Sequence, residues 1–179
     1  MVKQELINGC KNGDRKAQRE LYESYSTAIY GCCLKYAPNK QEAQDILQDS
    51  FITIFENVHQ FEYKGSFEGW CKRIAINTAL QRYRGASVYA IEDNSAIVAQ
   101  EIEIDNAQEI GMEEMLAMVQ QLPDRYRMVF SLYALDGHSH KEIAGLMSIS
   151  EGTSKSQLFK ARKLLQSQVN QNNISYGTH

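Results

Sequence analysis

From Asp14 to Tyr36 the apolar residues Ala17, Leu21, Tyr25, Ile29 and Cys33 recur at intervals of four, the stripe of an amphipathic helix. Asp14 suits its N-cap and Pro38 stops it. Asn39, with Glu42 three residues on, resembles a capping box that opens a second helix running to about Val58. Leu47, Phe51, Ile54, Phe55 and Val58 form its core stripe. Glu42, Asp45, Asp49 and Glu56 line the other side, with Gln48 and Ile52 at the margin. An acidic stripe holding one exposed β-branched residue is either a docking surface for a basic partner or an ordinary solvated face.

A third helix is predicted over 65–84. Trp70, Arg73, Asn77, Gln81 and Arg84 share one stripe, and Cys71, Ala75, Ile76, Ala79, Leu80 and Tyr83 take the opposite side. The stretch entering it, Phe61 to Phe67, adds three aromatic residues, Lys64, Ser66 and a Gly that permits a bend. Guanidinium groups neutralise phosphate, amides bond to base edges and rings stack on unpaired bases, so this surface suits nucleic acid. The same residues also fit a plain surface helix whose Trp caps a core.

After Arg84 the periodicity fails, and 85–111 reads as a linker that could span roughly 90 Å when extended. Helical pattern resumes over 112–121 and again over 123–135, where Tyr126, Val129, Phe130 and Tyr133 make a packing side that ends at Asp136-Gly137. Ser139 and Glu142 form a capping box for a short helix bearing Ile143, Ala144 and Met147. A break at Ser148-Ile149 follows, and Ser150 caps a longer helix to about Gln166. This is the layout of a helix-turn-helix, with small Ala144 where a crossing helix comes closest. On the last helix Leu158, Ala161, Leu164 and Leu165 point inward, whereas Lys155, Ser156, Phe159, Lys160 and Lys163 share the outer face. That face can hold phosphates and meet base edges and thymine methyls; a helical hairpin with a Lys-bearing face is the equal alternative. The polar tail over 170–179 is expected to fray.

Every predicted element is a helix, so the fold class is all-α: two small helical domains, 1–84 and 112–169, joined by an acidic flexible linker. Composition supports a globular chain, with 43% hydrophobic residues and only two Pro in 179 residues. The start MVKQELINGC lacks a signal region and no long apolar run occurs, so a soluble, cytoplasmic protein without membrane insertion is expected. The net charge of −3 hides a pattern: 1–84 carries 12 Lys+Arg against 10 Asp+Glu, 85–111 carries none against 6, and 112–179 carries 7 against 6. Within 137–179 five basic residues face two acids, which tilts the last helix toward DNA. Cys10, Cys32, Cys33 and Cys71 lack CxxC spacing, and His138-Ser139-His140 has no partner cluster, so neither metal nor cofactor is expected. No phosphate loop, nucleophile elbow or spaced acid pair appears, and the chain does not read as an enzyme.

Taken together, the chain resembles a bacterial extracytoplasmic-function (group IV) sigma factor of the sigma-70 family over nearly its whole length. GDRKAQRELYESYSTAIYGCCLKY is similar to the first helix of region 2 and EAQDILQDSFITIFENVHQF to its core-polymerase helix. GSFEGWCKRIAINTALQRYR is similar to its promoter-melting segment, and LPDRYRMVFSLYALDGHSHKEIAGLMSISEGTSKSQLFKARKLL to region 4. The order of the four matches, with an acidic linker in place of region 3, makes the resemblance specific.

The resemblance implies an alternative sigma factor that binds core RNA polymerase, recruits it to promoters and helps open them. Asp45, Gln48, Asp49 and Ile52 would dock on the β′ clamp helices. The segment with Phe61, Tyr63, Lys64 and Ser66 would capture a flipped base of the minus-ten element, with Trp70, Arg73 and Asn77 along the opened strand. Lys155, Ser156, Gln157, Phe159 and Lys160 would read the minus-thirty-five duplex, with Arg162 and Lys163 near the backbone. The linker would thread toward the polymerase active site or RNA exit path. The β flap and an anti-sigma factor are further implied partners, and the chain alone would be monomeric. Three positions depart from the family: Ser148 stands where Gly is usual in the turn, Ser154 where a branched aliphatic packs, and Gln157 where Arg is common. Ser154 is expected to bond back to a helix carbonyl, and Gln157 to favour adenine over guanine. A stand-alone helix-turn-helix regulator and a sigma mimic that titrates an anti-sigma factor are the rival readings.

Overall fold

Helices account for all the regular structure among the described residues, 3–84 and 111–176 of a computed structural model. The chain divides into two units, Met1–Gln81 and Arg82–His179. The expected linker over 85–111 lies, Gly111 apart, outside the described residues.

The N-terminal unit is organised around α2, Arg15–Tyr36, which packs against both α1, Lys3–Lys11, and α3, Lys40–Asn57. Asp14 caps α2 as expected, its carboxylate accepting from the Lys16 N–H at 2.8 Å. Pro38 forces Ala37 into extended backbone and ends the helix. The predicted stripe Ala17, Leu21, Tyr25, Ile29 and Cys33 is buried, joined by Cys32 and Tyr36. Asn39 caps α3 through the Glu42 N–H at 2.9 Å. The inner face of α3 carries Ala43, Ile46, Leu47, Phe51 and Ile54, and buried Ser50 donates to the Ile46 carbonyl at 2.6 Å. Phe55, expected in that stripe, is only half-buried against Phe51.

Helix α1 was not expected, because its apolar signal is three residues, Leu6, Ile7 and Cys10. What holds it is tertiary: a Cβ on Gly9 would come within 2.6 Å of the Ala17 Cβ, so the missing side chain sets the close approach of α1 to α2. A 3-10 turn, Val58–Gln60, leads to the Phe61–Phe67 segment and then to α4, Phe67–Arg84. Cys71, Ala75, Ala79 and Leu80 are its buried side, while Arg73, Asn77 and Gln81 stay exposed, as the periodicity predicts.

In the C-terminal unit α5, Met112–Gln120, and α6, Asp124–Phe130, precede α7, His140–Met147, and α8, Glu151–Tyr176. Helix α6 continues as a π-helical segment, Ser131–Leu135, in which Asp136 N–H reaches back five residues to the Ser131 carbonyl at 3.0 Å. Arg127 to Leu132 are buried without interruption, so α6 is enclosed rather than amphipathic. Tyr126 and Tyr133, expected on its packing side, are half-buried. Helices α6 and α7 both pack on α8, and Leu158, Ala161, Leu165 and Val169 form the inner stripe. Val169 extends that stripe beyond the expected end at Gln166, and with no Gly or Pro to stop it the helix runs to Tyr176. Leu164, expected inside, is 40% exposed because Leu165 takes the inward position.

Arg127 is 1% exposed and ties α5 to α6. Its guanidinium donates to the carbonyls of Leu122 at 2.7 Å and Gln120 at 3.3 Å, and pairs with the Asp124 carboxylate. Leaving buried acceptors unpaired costs about 1–3 kcal/mol each. Arg127→Leu is expected to destabilise the full-length protein by roughly 2–4 kcal/mol, read by denaturant titration with a probe in the C-terminal unit. Arg127→Lys recovers only part of this, since an ammonium cannot fork to three acceptors; an unchanged midpoint for the Leu variant would show that the carbonyls find other donors.

Candidate nucleic-acid interface

Four sites picked out by sequence lie on the outer face of α3. Ile52 is 58% exposed, Gln48 and Asp49 are exposed, and Asp45 is half-buried. A branched apolar side chain standing among amides and carboxylates is the composition of a small binding hot spot with a polar rim. On the next turn the same helix contributes Thr53 and Asn57 to a concavity of about 230 Å³ that also takes in Trp70, Arg73 and Asn77 of α4. The proposed docking helix and the basic, amide-bearing stripe are therefore neighbours on one unit.

The Phe61–Phe67 segment corrects one expectation. Phe61 is 5% exposed, with its ring centroid 5.0 Å from Phe67, 5.2 Å from Tyr63 and 5.7 Å from Trp70. Aromatic packing against these three neighbours draws it inside, so its ring anchors the segment rather than offering a stacking surface. Tyr63 is 40% exposed, and Lys64 and Ser66 are also at the surface. Lys64 pairs with Glu62 at 2.7 Å in an exposed contact of little energetic weight. The Ser66 hydroxyl accepts from the Gly69 N–H at 3.3 Å and begins α4. Trp70 is half-buried and stacked on Phe67, 5.6 Å between centroids, so one face of the indole packs. Arg73 and Asn77 are exposed one and two turns on. A second concavity, about 290 Å³, opens beneath Tyr63 and Ser66 with Phe61 and Phe67 at its floor.

In the C-terminal unit the capping box forms: Ser139 Oγ accepts from the Glu142 N–H, and Glu142 accepts from the Ser139 N–H at 2.8 Å. These bonds hold the exposed Glu142 carboxyl below its ordinary value. Ser148 ends α7 with φ 56° and ψ 45°, left-handed backbone that a Gly would adopt without strain. Ser150 Oγ accepts from the Thr153 N–H at 2.9 Å and starts α8.

Along α8, Lys155 and Lys163 are exposed, and Ser156, Phe159, Lys160 and Arg162 are half-buried. Gln157 departs from expectation: it is 7% exposed, and its Oε1 is buried without a hydrogen-bond partner among the described residues. One position of helical phase turns it off the outer face, so it does not present an amide to a groove. Ser154 departs too. Its hydroxyl lies 2.9 Å from Nδ1 of His140 on α7 rather than on a helix carbonyl. The His140 ring stacks on Tyr133, 4.6 Å between centroids and 23° between planes, and Arg162 lies 5.7 Å over that tyrosine. A polar chain thus links α7 and α8 where an aliphatic contact was the family's habit. Burial, with Lys155 next, pushes the His140 imidazole down from 6.5, against the opposing pull of Glu151.

The four cysteines are buried and form no disulfide. Burial raises Cys10 to about 11 and Cys33 and Cys71 to about 12, so these thiols stay protonated and unreactive at neutral pH. His138 and His140 turn to separate partners, the Leu132 carbonyl and Ser154. Among the described residues no group of three or more His, Cys, Asp or Glu could hold a metal ion, and no helix is long and apolar enough to cross a membrane.

Two family matches cover most of the described chain. Residues 21–88 match the Sigma-70 region 2 family, and residues 112–165 match Sigma-70, region 4. The chain is 31% identical to the ECF RNA polymerase sigma factor SigW of Bacillus subtilis, over 94% of this chain and 97% of that one. It is 30% identical to the ECF RNA polymerase sigma-E factor of Escherichia coli K12, over 94% and 95%. Among solved structures it is similar to the sigma factor RpoE from Bartonella quintana, crystallised with the anti-sigma factor NepR: TM-score 0.52, 20% identity, 85% of this chain and 96% of that one.

The His140 environment has a pH consequence. Because the folded value lies below 6.5, the unfolded chain takes up the proton first as pH falls. The stability this ring contributes is complete above 6.5 and declines as pH drops toward the folded value. Thermal unfolding of full-length protein between about pH 7.5 and about pH 5.5 is expected to show a loss that His140→Asn makes shallower. Parallel curves for the two proteins would contradict the assignment.

Proposed function

The chain belongs to the extracytoplasmic-function sigma factors of the sigma-70 family, and from that membership we propose how its two helical units divide the work. It is an alternative sigma factor: it binds core RNA polymerase and directs initiation at the promoters it recognises. The outer face of α3, with Asp45, Gln48, Asp49 and Ile52, docks on the β′ clamp helices. Tyr63, Lys64 and Ser66 receive an unpaired base of the minus-ten element, and Trp70, Arg73 and Asn77 follow the opened strand. Phe61 serves from beneath, by holding that segment in place. On α8, Lys155, Ser156, Phe159 and Lys160 meet the minus-thirty-five duplex, with Arg162 and Lys163 toward its backbone. Gln157 supports the helix from inside, and the C-terminal unit also meets the β flap. Bond making stays with the polymerase, in the cytoplasm where core enzyme resides. An anti-sigma factor, as in the similar Bartonella complex, holds the chain inactive by covering the same faces.

The observation that carries this division is the shared concavity joining Thr53 and Asn57 of the docking helix to Trp70, Arg73 and Asn77 of the melting stripe. Docking through α3 brings that stripe to the fork where strands part. Gln48→Ala combined with Ile52→Asp is expected to weaken binding to core polymerase at least ~30-fold in a pull-down titration while stability moves by less than about 1 kcal/mol. Undiminished retention of core enzyme by the variant would remove α3 as the docking helix. Lys155→Gln is expected to lower promoter affinity of the holoenzyme across sequences and to reduce the slope of log affinity against log salt by about one. An unaltered slope would place Lys155 away from phosphate.

A further inference from the structure

We propose that α1 is a working part of the minus-ten recognition segment, with Asn8 and Lys11 as positioning residues that hold Tyr63 in a strained, binding-ready conformation. The inference rests on the reading above that the 61–67 segment receives an unpaired base. It goes beyond that reading because α1 lies outside the residues, 21–88, that match region 2.

Tyr63 has φ +60°, a left-handed conformation disfavoured for an L-residue with a bulky side chain. Such strain persists only where surrounding contacts over-determine it. Here, beside the edge-on Phe61 ring, the contacts come from one helix. The Tyr63 hydroxyl donates to Asn8 Oδ1 at 2.5 Å. The Lys11 ammonium donates to the Phe61 carbonyl at 2.7 Å and lies 4.6 Å from the centre of the Tyr63 ring. A cation over a ring and a charge-assisted bond to the backbone two residues earlier fix both the ring and the chain that carries it.

These positions are not scattered along α1. Gln4, Ile7, Asn8 and Lys11 fall at the i, i+3, i+4 and i+7 spacing of a single helical face. Gln4 and Ile7 line the cavity of about 290 Å³ under the segment, while Asn8 and Lys11 secure its lid. The same face therefore supplies a wall, with an amide able to meet a base edge, and the fastening for Tyr63. Buried Ile7 and Cys10, with Gly9 against Ala17, key α1 to α2, so the fastening is anchored to the core. Freed from Asn8 and Lys11, Tyr63 can relax to negative φ, and the cavity loses the shape that distinguishes one base from another.

The test uses the holoenzyme on a promoter mapped with it, carried as a library randomised across the minus-ten element, with transcripts counted by sequencing. Variants are Asn8→Ala, Lys11→Met, Lys11→Arg, Tyr63→Phe and Tyr63→Ala. Expected is that Asn8→Ala and Lys11→Met flatten base preference at one or two minus-ten positions by about tenfold. Preference at the upstream element, binding to core enzyme and the thermal midpoint stay unchanged, and Lys11→Arg restores the preference. Tyr63→Phe is expected to match Asn8→Ala, and the two together to add nothing further, since both delete one hydrogen bond. If Tyr63→Ala flattens the preference but Asn8→Ala and Lys11→Met do not, the role of α1 is overturned while the segment keeps its assignment. If Tyr63→Ala changes nothing, the assignment of the segment fails and α1's role with it. If the α1 variants instead lose core binding and melt early, α1 is only structural and the proposal is wrong.

Discussion

The face of the N-terminal unit proposed to meet nucleic acid hangs on the inward turn of Phe61. Its ring meets Tyr63, Phe67 and Trp70, and Phe67 in turn meets Tyr25 of the central helix edge-on at 5.4 Å. That aromatic cluster fixes where the 3-10 turn after α3 ends and where α4 begins. It also fixes the phase of α4, so that Arg73 and Asn77 face out when Cys71, Ala75 and Ala79 face in. A ring whose type suits stacking on a base instead supports the neighbours to which that role is proposed. Removing roughly 2 kcal/mol of such burial would loosen several surface positions at once.

Enclosed α6 apart, the main helices of both units commit a stripe to the interior and leave a chemically distinct face outside. On α3 the outer face is acidic with Ile52 at its centre; on α4 it is basic and amide-bearing; on α8 it carries Lys155 and Lys163. The low net charge of −3 is therefore a poor guide to the surface, because it averages over faces of opposite sign. The thiols of Cys10, Cys33 and Cys71, held at about 11 to 12, belong to the interior and take no part in those faces.

Local chemistry made much of this legible. Asp14, Asn39, Ser139 with Glu142, and Ser150 announce helix starts because a capping side chain bonds within three residues of itself. The stripes of α2 and α4 follow from periodicity alone. What stayed hidden depends on distant groups. Helix α1 has too few apolar residues to signal itself and is held by a Gly9–Ala17 approach. Arg127 sits inside because backbone carbonyls in the α5–α6 turn wait for it. The Ser154 hydroxyl finds His140 across the helix-turn-helix, and Gln157 and Leu164 exchange the exposures their residue types suggest. The turn of Phe61 into the core was hidden for another reason: its partners Tyr63, Phe67 and Trp70 are close in sequence, but their spacing does not tell an inward ring from an outward one.

The most direct measurement is genome-wide transcription in vitro by core RNA polymerase with and without the purified chain. The account predicts discrete new start sites that share two separated sequence elements, one read by each unit. Binding to core polymerase with no new starts would contradict it, as would starts that share only one element.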